Sequence, residues 1–301
     1  MPRRIRVFQV DTFTNTPFTG NPATIVLDGE GLSDEQMRAL AREFAKGDTA
    51  FVLPATAADH DLVVRFFMPN KEAPFVGHAT LAAHAVLARQ APRPLRRQAG
   101  RSGIVEVRTL PDGRFAISQP PPVLARIPSN DEIHSLLPLL GLRPADLDGA
   151  CPPQIAGTAG TRLIIALNDI AALDAVRPQL PQLAAMSTTL GAQGYFLFTR
   201  RGARAGCLTE SRMFCPLLGI DEDPVSGNAH AMLAVLLHQR GLLPASLPGV
   251  PGEVRFTGAQ GRHLGRPGSV DVSMQFDAEG QPRAVSIAGQ AVVVLEGSAE
   301  F

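Results

Sequence analysis

Apolar residues recur with two different periods along this chain, and the points where the period changes mark its elements. Ile5 and Val7 point to one face and Phe8 and Val10 to the other, a strand covered on both sides over part of its length. A loop over 14–22 leads to a second strand, Ala23 to Leu27. The spacing then turns helical. Ser33 with Gln36 three positions on forms a capping box, and Leu32 with Met37 closes a hydrophobic staple. Met37, Leu40, Ala41 and Phe44 make the buried stripe, and Gly47 ends the helix in a left-handed conformation. Asp48 is the first residue beyond it, followed by strands Thr49–Leu53 and Leu62–Met68. Gly77 opens an alanine-rich helix reaching Gln90, and 104–119 reads as a hairpin turning at Pro111-Asp112-Gly113. Prolines 120–122 mark a linker. Beyond them the pattern predicts helices over 131–140 and 169–190, strands over 195–199 and 205–214, and a helix after Gly227. Paired strands over 254–256 and 270–276 and a final strand over 284–294 complete it.

Two of these segments share a text. Residues 65–79 contain Arg65-Phe66-Phe67-Met68-Pro69 and Pro74-Phe75-Val76-Gly77-His78-Ala79; residues 212–229 contain Arg212-Met213-Phe214-Cys215-Pro216 and Pro224-Val225-Ser226-Gly227-Asn228-Ala229. Both spell R-x-F-x-P, a spacer, and P-x-x-G-[H/N]-A before an apolar run. Gly77 and Gly227 lie 150 positions apart in a chain of 301, so the repeat unit is a whole domain. The fold class that follows is α+β, two similar duplicated domains, each a curved mostly antiparallel sheet around a central helix. The domains are 1–120 and 121–301, with the final strand near 284–301 a candidate to pack back on the first.

Composition narrows the function. Hydrophobic residues make up 45% and charged residues 19%, and the formal net charge is zero, so no global field draws nucleic acid or an anionic membrane. The densest basic stretch, 92–101, holds two prolines and a glycine and reads as a solvated loop rather than a nucleic-acid patch. The three cysteines, Cys151, Cys207 and Cys215, show no C-x-x-C spacing, which argues against a disulfide framework and for a reducing compartment. The first seven residues pass into a strand without an apolar signal region, and no apolar run reaches the ~18 residues of a membrane span. A cytoplasmic protein is expected.

Chemistry is sought first at the two repeated helix starts. A helix N-terminus carries unpaired N–H groups and about half a positive charge, so two of them facing each other across a cleft would hold a small anionic metabolite; the plainer reading is that each glycine permits close packing at a turn. Asp223 before Pro224 reads as an ordinary N-cap with proline at N1, yet Asp221-Glu222-Asp223 places more acid there than a cap needs. His78 lies in the first turn of its helix, where the positive end disfavours the imidazolium and leaves a neutral ring able to move a proton, or simply a hydrogen-bonded structural group. Asp48 follows a helix C-terminus and enters an apolar strand; both raise a carboxyl pKa toward the range of acid–base catalysis, unless it is a solvated loop acid. No zinc spacing, dinucleotide or phosphate loop, or G-x-S-x-G elbow is present.

Val10-Asp11-Thr12-Phe13 with Pro17-Phe18-Thr19-Gly20-Asn21-Pro22, Ala41-Arg42-Glu43-Phe44 running to Asp48-Thr49-Ala50-Phe51-Val52, Pro74 to Thr80, and Gly219 to His230 occur in order over most of the chain. In these motifs it resembles the phenazine-biosynthesis PhzF-like proteins of the diaminopimelate-epimerase-like fold. The resemblance implies cofactor-free proton transfer in a cleft between two similar domains, often in a homodimer; the best-understood member isomerises a dihydro-hydroxyanthranilate. The family's acid–base glutamate falls on Asp48, its histidine on His78 and its aspartate on Asp223, while its usual serine falls on Asn228. Asp48 is one methylene shorter than glutamate, and displacement on the order of 1 Å can cost a hundredfold in rate, so substrate identity does not carry over. The expectation is a cofactor-independent isomerase of a small carboxylate-bearing metabolite. Asp48, His78 and Asp223 would be catalytic; Gly77, Gly227 and Asn228 would hold the anion; no metal would take part. The alternatives are an epimerase or racemase of a similar metabolite, and a non-catalytic metabolite-binding protein.

Overall fold

A computed structural model describes residues 3–44, 47–157, 160–245, 247 and 252–300. The chain divides into two compact units, Met1–Ser118 with Ala288–Phe301, and Gln119–Ile287.

In the first unit the chain runs β1 (Arg4–Thr12), β2 (Asn21–Val26), α1 (Asp34–Phe44), β3 (Asp48–Pro54), β4 (Leu62–Phe67), β5 (Glu72–Ala73), α2 (Gly77–Gln90), β6 (Leu95–Gly100), β7 (Gly103–Thr109) and β8 (Phe115–Gln119). The sheet order is β1-β2-β3-β4-β6-β7-β8, parallel at β2–β3 and β4–β6 and antiparallel elsewhere, with β5 a short antiparallel partner of β4. Helix α1 forms for the reasons its sequence states: Gln36 donates its N–H to Ser33 Oγ at 3.2 Å and takes the Ser33 N–H at 2.9 Å, while Leu32 and Met37 are buried in one cluster. Helix α2 is buried around its whole circumference; Ala79 to Val86 are buried without interruption, and its small residues let β1 to β4 close against it.

The second unit runs α3 (Asn130–Leu140), β9 (Gln154–Ala156), β10 (Arg162–Ala166), α4 (Ile170–Ala175), α5 (Leu180–Leu190), β11 (Tyr195–Thr199), β12 (Thr209–Cys215), β13 (Ile220–Asp223), α6 (Gly227–Gln239), β14 (Glu253–Gln260), β15 (Gly268–Phe276) and β16 (Pro282–Gly289). Its pairings reproduce the first unit strand for strand. β9–β10 is antiparallel like β1–β2, β10–β11 parallel like β2–β3, β11–β12 antiparallel like β3–β4, β12–β14 parallel like β4–β6, and β14–β15 antiparallel like β6–β7. α6 is the counterpart of α2, its Ala229, Met232, Leu233, Leu236 and Leu237 packed on β10, β11 and β12. The last strand, β17 (Ala291–Glu300), belongs to the first unit and pairs antiparallel with β1.

Four expectations change. Residues 95–100 are a strand: Arg96 and Gln98 are buried between exposed neighbours, a period of two written in polar letters. The helix expected over 169–190 is two helices, because Val176, at ψ 126°, leaves the helical region and Pro178 follows in the gap. The final strand breaks at Gln290, whose carbonyl accepts the Phe13 N–H at 2.8 Å. The strand expected from 205 begins at Thr209, and β9 and β10 enter unforeseen. Among the described residues no helix is long and apolar enough to cross a membrane.

Candidate active site

Asp48 stands at the first position of β3, opposite Ala23 in the parallel ladder with β2. The turn delivering it needs a glycine: Gly47 has φ +108°, and a Cβ there would sit 2.7 Å from the Pro22 carbonyl oxygen. The Asp48 side chain is only 14% exposed, with Oδ2 3.5 Å from His78 Nε2. Its Oδ1 is buried and makes no hydrogen bond. Burial pushes its pKa up to about 6, against the pull of the Lys71 ammonium. A carboxyl so placed exchanges a proton near neutrality, and burial is the cause.

His78 is the second residue of α2. Val76, the N-cap, is extended and offers no side-chain cap, but its carbonyl accepts both the N–H and the Oγ1–H of Thr80, at 3.0 and 2.9 Å. The approach to the helix is fixed from β4. Arg65 donates Nε and Nη2 to the two Glu72 oxygens at 2.9 Å each and stacks 5.1 Å over the Phe67 ring. In the second unit Arg212 forks onto Glu222 at 2.9 and 2.8 Å and stacks 4.9 Å over Phe214. The repeated R-x-F is therefore a bracket holding the strand that leads into each helix.

Helix α6 begins at Gly227. The N-cap is Ser226, whose Oγ accepts the Ala229 N–H at 3.3 Å. This corrects the reading of Asp223 as the cap: Asp223 ends β13 opposite Met213, and Pro224 lies in the turn. The crowding of acids there is explained by Glu222 serving Arg212. The turn is held by Gln260, which is 1% exposed; its Nε2 donates to the Asp223 carbonyl at 2.7 Å and its Oε1 accepts the Ser226 N–H at 3.0 Å. Asn228 is exposed in the first turn and Gly227 is buried. His230 is fully buried and its Nδ1–H donates to the Ser226 carbonyl at 2.7 Å; burial pushes its pKa down to about 4.

Asp48, Gly77 and His78 thus come together in the first unit, and Asp223, Gly227 and Asn228 in the second. The sequence reading missed Gln260 and Glu72, and named Glu222 without its role. The two glutamates had a signal, since each precedes the P-x-x-G motif at two residues' distance; Gln260 had none. Among the described residues no group of three His, Cys, Asp or Glu is placed to hold a metal ion. A shallow depression over Asp34, Arg65, Glu72 and Arg101 lies apart from Asp48, and its charges are paired with one another.

The profile of the phenazine biosynthesis-like protein family, PhzC-PhzF, matches residues 10–297. An uncharacterized isomerase of Salmonella typhimurium is 35% identical over 296 residues, 96% of each chain. The trans-2,3-dihydro-3-hydroxyanthranilate isomerase of Pseudomonas aeruginosa is 28% identical, covering 98% of this chain and 99% of its own. The crystal structure of a PhzF-family phenazine biosynthesis protein of Bacillus anthracis superposes with a TM-score of 0.87 over 99% of both chains, at 24% identity, a likeness of fold alone. Together with the duplicated sheets wrapped on α2 and α6, these likenesses mean that the chain belongs to the phenazine biosynthesis-like PhzC-PhzF family, as an isomerase.

Proposed function

We propose that this isomerase moves a proton, without a cofactor, on a small carboxylate-bearing metabolite bound in the cleft expected from the duplicated motif. The observation that carries the reading is Asp48: a buried carboxyl with a pKa of about 6, 3.5 Å from an imidazole. Ionised Asp48 takes the proton from carbon and returns it elsewhere; His78 and Asp223 assist, and Gly77, Gly227 and Asn228 hold the anion with the helix starts. A cytoplasmic homodimer belongs to the same reading, supported by three cysteines that are all free and by the family's habits.

The test is deuterium incorporation from solvent, beginning with trans-2,3-dihydro-3-hydroxyanthranilate, the substrate in the Pseudomonas relative's name, and extending to other small unsaturated carboxylates. Exchange abolished by Asp48→Asn supports the reading; exchange in that variant at the wild-type rate removes Asp48 from the chemistry. A change of chirality rather than of double-bond position would turn the reading to epimerisation.

A further inference from the structure

The matched ladders identify what replaces Asp48 in the second unit. Thr49 faces Phe67 in β3–β4 and Tyr195 faces Phe214 in β11–β12, and these phenylalanines are the ones shared by the two R-x-F motifs. The residue before Tyr195 is Gly194, which therefore takes the place of Asp48. Thr24 pairs with Thr49 and Leu163 with Tyr195, so Arg162 takes the place of Ala23. Where the first unit has a small residue beside an acid, the second has a cation beside a glycine. The glycine is required: a Cβ on Gly194 would run into Cys215 Sγ and lie 2.8 Å from the Phe214 carbonyl oxygen, with Arg162 Cδ 3.2 Å away.

This guanidinium has no counter-ion among the described residues. Its Nη1 donates to the Thr161 carbonyl at 2.9 Å, its Nε is buried without a hydrogen bond, and no carboxylate pairs with it. The Cys215 thiol hydrogen-bonds with Arg162 but supplies no charge, since burial pushes its pKa up to about 11. Arg65 and Arg212 show the usual solution, a forked glutamate, and a half-buried cation left without one is the mark of a ligand anion. Arg162 Nη1 and Asn228 Nδ2 border the same glycine, together with Gln193 Oε1: each lies 3.9 Å from the position a Cβ would take on Gly160. Asn228 is the counterpart of His78, and Arg162 is the counterpart of Ala23, the ladder partner of Asp48.

We propose that Arg162, with Asn228 at the start of α6, binds the carboxylate of the substrate. The proposal rests on the carboxylate-bearing substrate of the preceding reading. In it the matching pair of positions diverged: Ala23 beside the proton-moving Asp48 in one unit, the anion-binding Arg162 beside Gly194 in the other.

Benzoate, anthranilate and acetate, each against its neutral amide, are the probes, with binding followed by thermal shift and by NMR titration of wild type, Arg162→Met and Arg162→Lys. The carboxylates should bind wild type and the amides should not. Arg162→Met should lose at least tenfold in affinity and Arg162→Lys should keep part of it. Without ligand Arg162→Met should melt no lower than wild type, since it removes an uncompensated charge; a purely structural arginine would lower it. Equal binding of carboxylates to wild type and Arg162→Met, or no binding of any of the three to wild type, overturns the proposal. Carboxylate binding that needs Arg162 in a protein showing no deuterium exchange would uphold the anion seat while removing the proton-transfer reading.

Discussion

Thr80 and His230 hold the same position, the fourth residue of the helix each sheet wraps, and each donates to the carbonyl of its N-cap residue. The partner strand differs in compensation. Thr80 is met by Gln98, which also contacts His84 Nε2 at 3.1 Å; His230 is met by Gly258, where a Cβ would lie 2.6 Å from the imidazole Nε2. The ladders put Gln98 opposite Leu62 and Gly258 opposite Thr209, matching sites. Small-plus-large in one unit has become large-plus-small in the other. The duplicated scaffold conserves the volume behind the helix start and the bond that fixes it, while the groups displayed in front are free to diverge.

The sharpest break of this symmetry is Asp48, whose counterpart carries no acid. Asp48→Asn should lower solvent exchange by 10²–10⁴-fold and yet stabilise the fold. Because the folded pKa is raised to about 6, the stabilising contribution of Asp48 is fully present below the unfolded value near 4 and is lost as pH rises through 6. The variant should therefore gain about 3 kcal/mol at pH 8 and nothing at pH 4, read by urea denaturation. The brackets come next. Arg212 is more buried than Arg65 and also donates to the Leu173 and Val176 carbonyls, so Arg212→Met should cost about 3–5 kcal/mol by stranding Glu222, and Arg65→Met distinctly less. Equal losses would mean that the bracket works alike in both units.

The compensation can be tested by transplanting it. Gly258→Gln alone should cost at least about 1–3 kcal/mol by overpacking His230, whereas His230→Thr with Gly258→Gln should recover most of that. The double variant should also lose part of the acid sensitivity. His84 and His230 are both pushed down to about 4 by burial, so each contributes stability that is present above about pH 6.5 and lost as pH falls through 4. Melts between pH 7 and pH 4 read this directly. The smallest effect is Ser226→Ala, about 1 kcal/mol for a lost N-cap; a much larger loss would show that the cap, and not Gln260, fixes the second start.

Most of the scaffold was legible because its signals are local. The Ser33–Gln36 box and the Gly77–Gln90 helix lie in consecutive letters, and the repeat predicted the paired helix starts; the helix stop expected just before Gly47 falls on residues outside those described. What escaped depends on partners distant in sequence. β6 hides its inward face in Arg96 and Gln98, which are buried because Thr80, His84 and the Ala91 carbonyl await them. Asp223 passed for a helix cap because aspartate before proline usually is one; Gln260, 37 residues later, takes that turn by its backbone instead. Asp48 was found from its two neighbours, since its environment is set by the turn that carries it.

Strand β1 pairs with β17 from Arg4↔Glu300 to Thr12↔Ala291. During synthesis β1 emerges before its neighbour, separated from it by the whole of the second unit. At about 5–20 residues per second the nascent chain holds this apolar strand with one unpaired edge for tens of seconds, long enough to recruit a stray strand. The first unit is thus completed only after the second has been translated, and a ribosome that stalls near residue 290 leaves a protein whose β1 edge is still open.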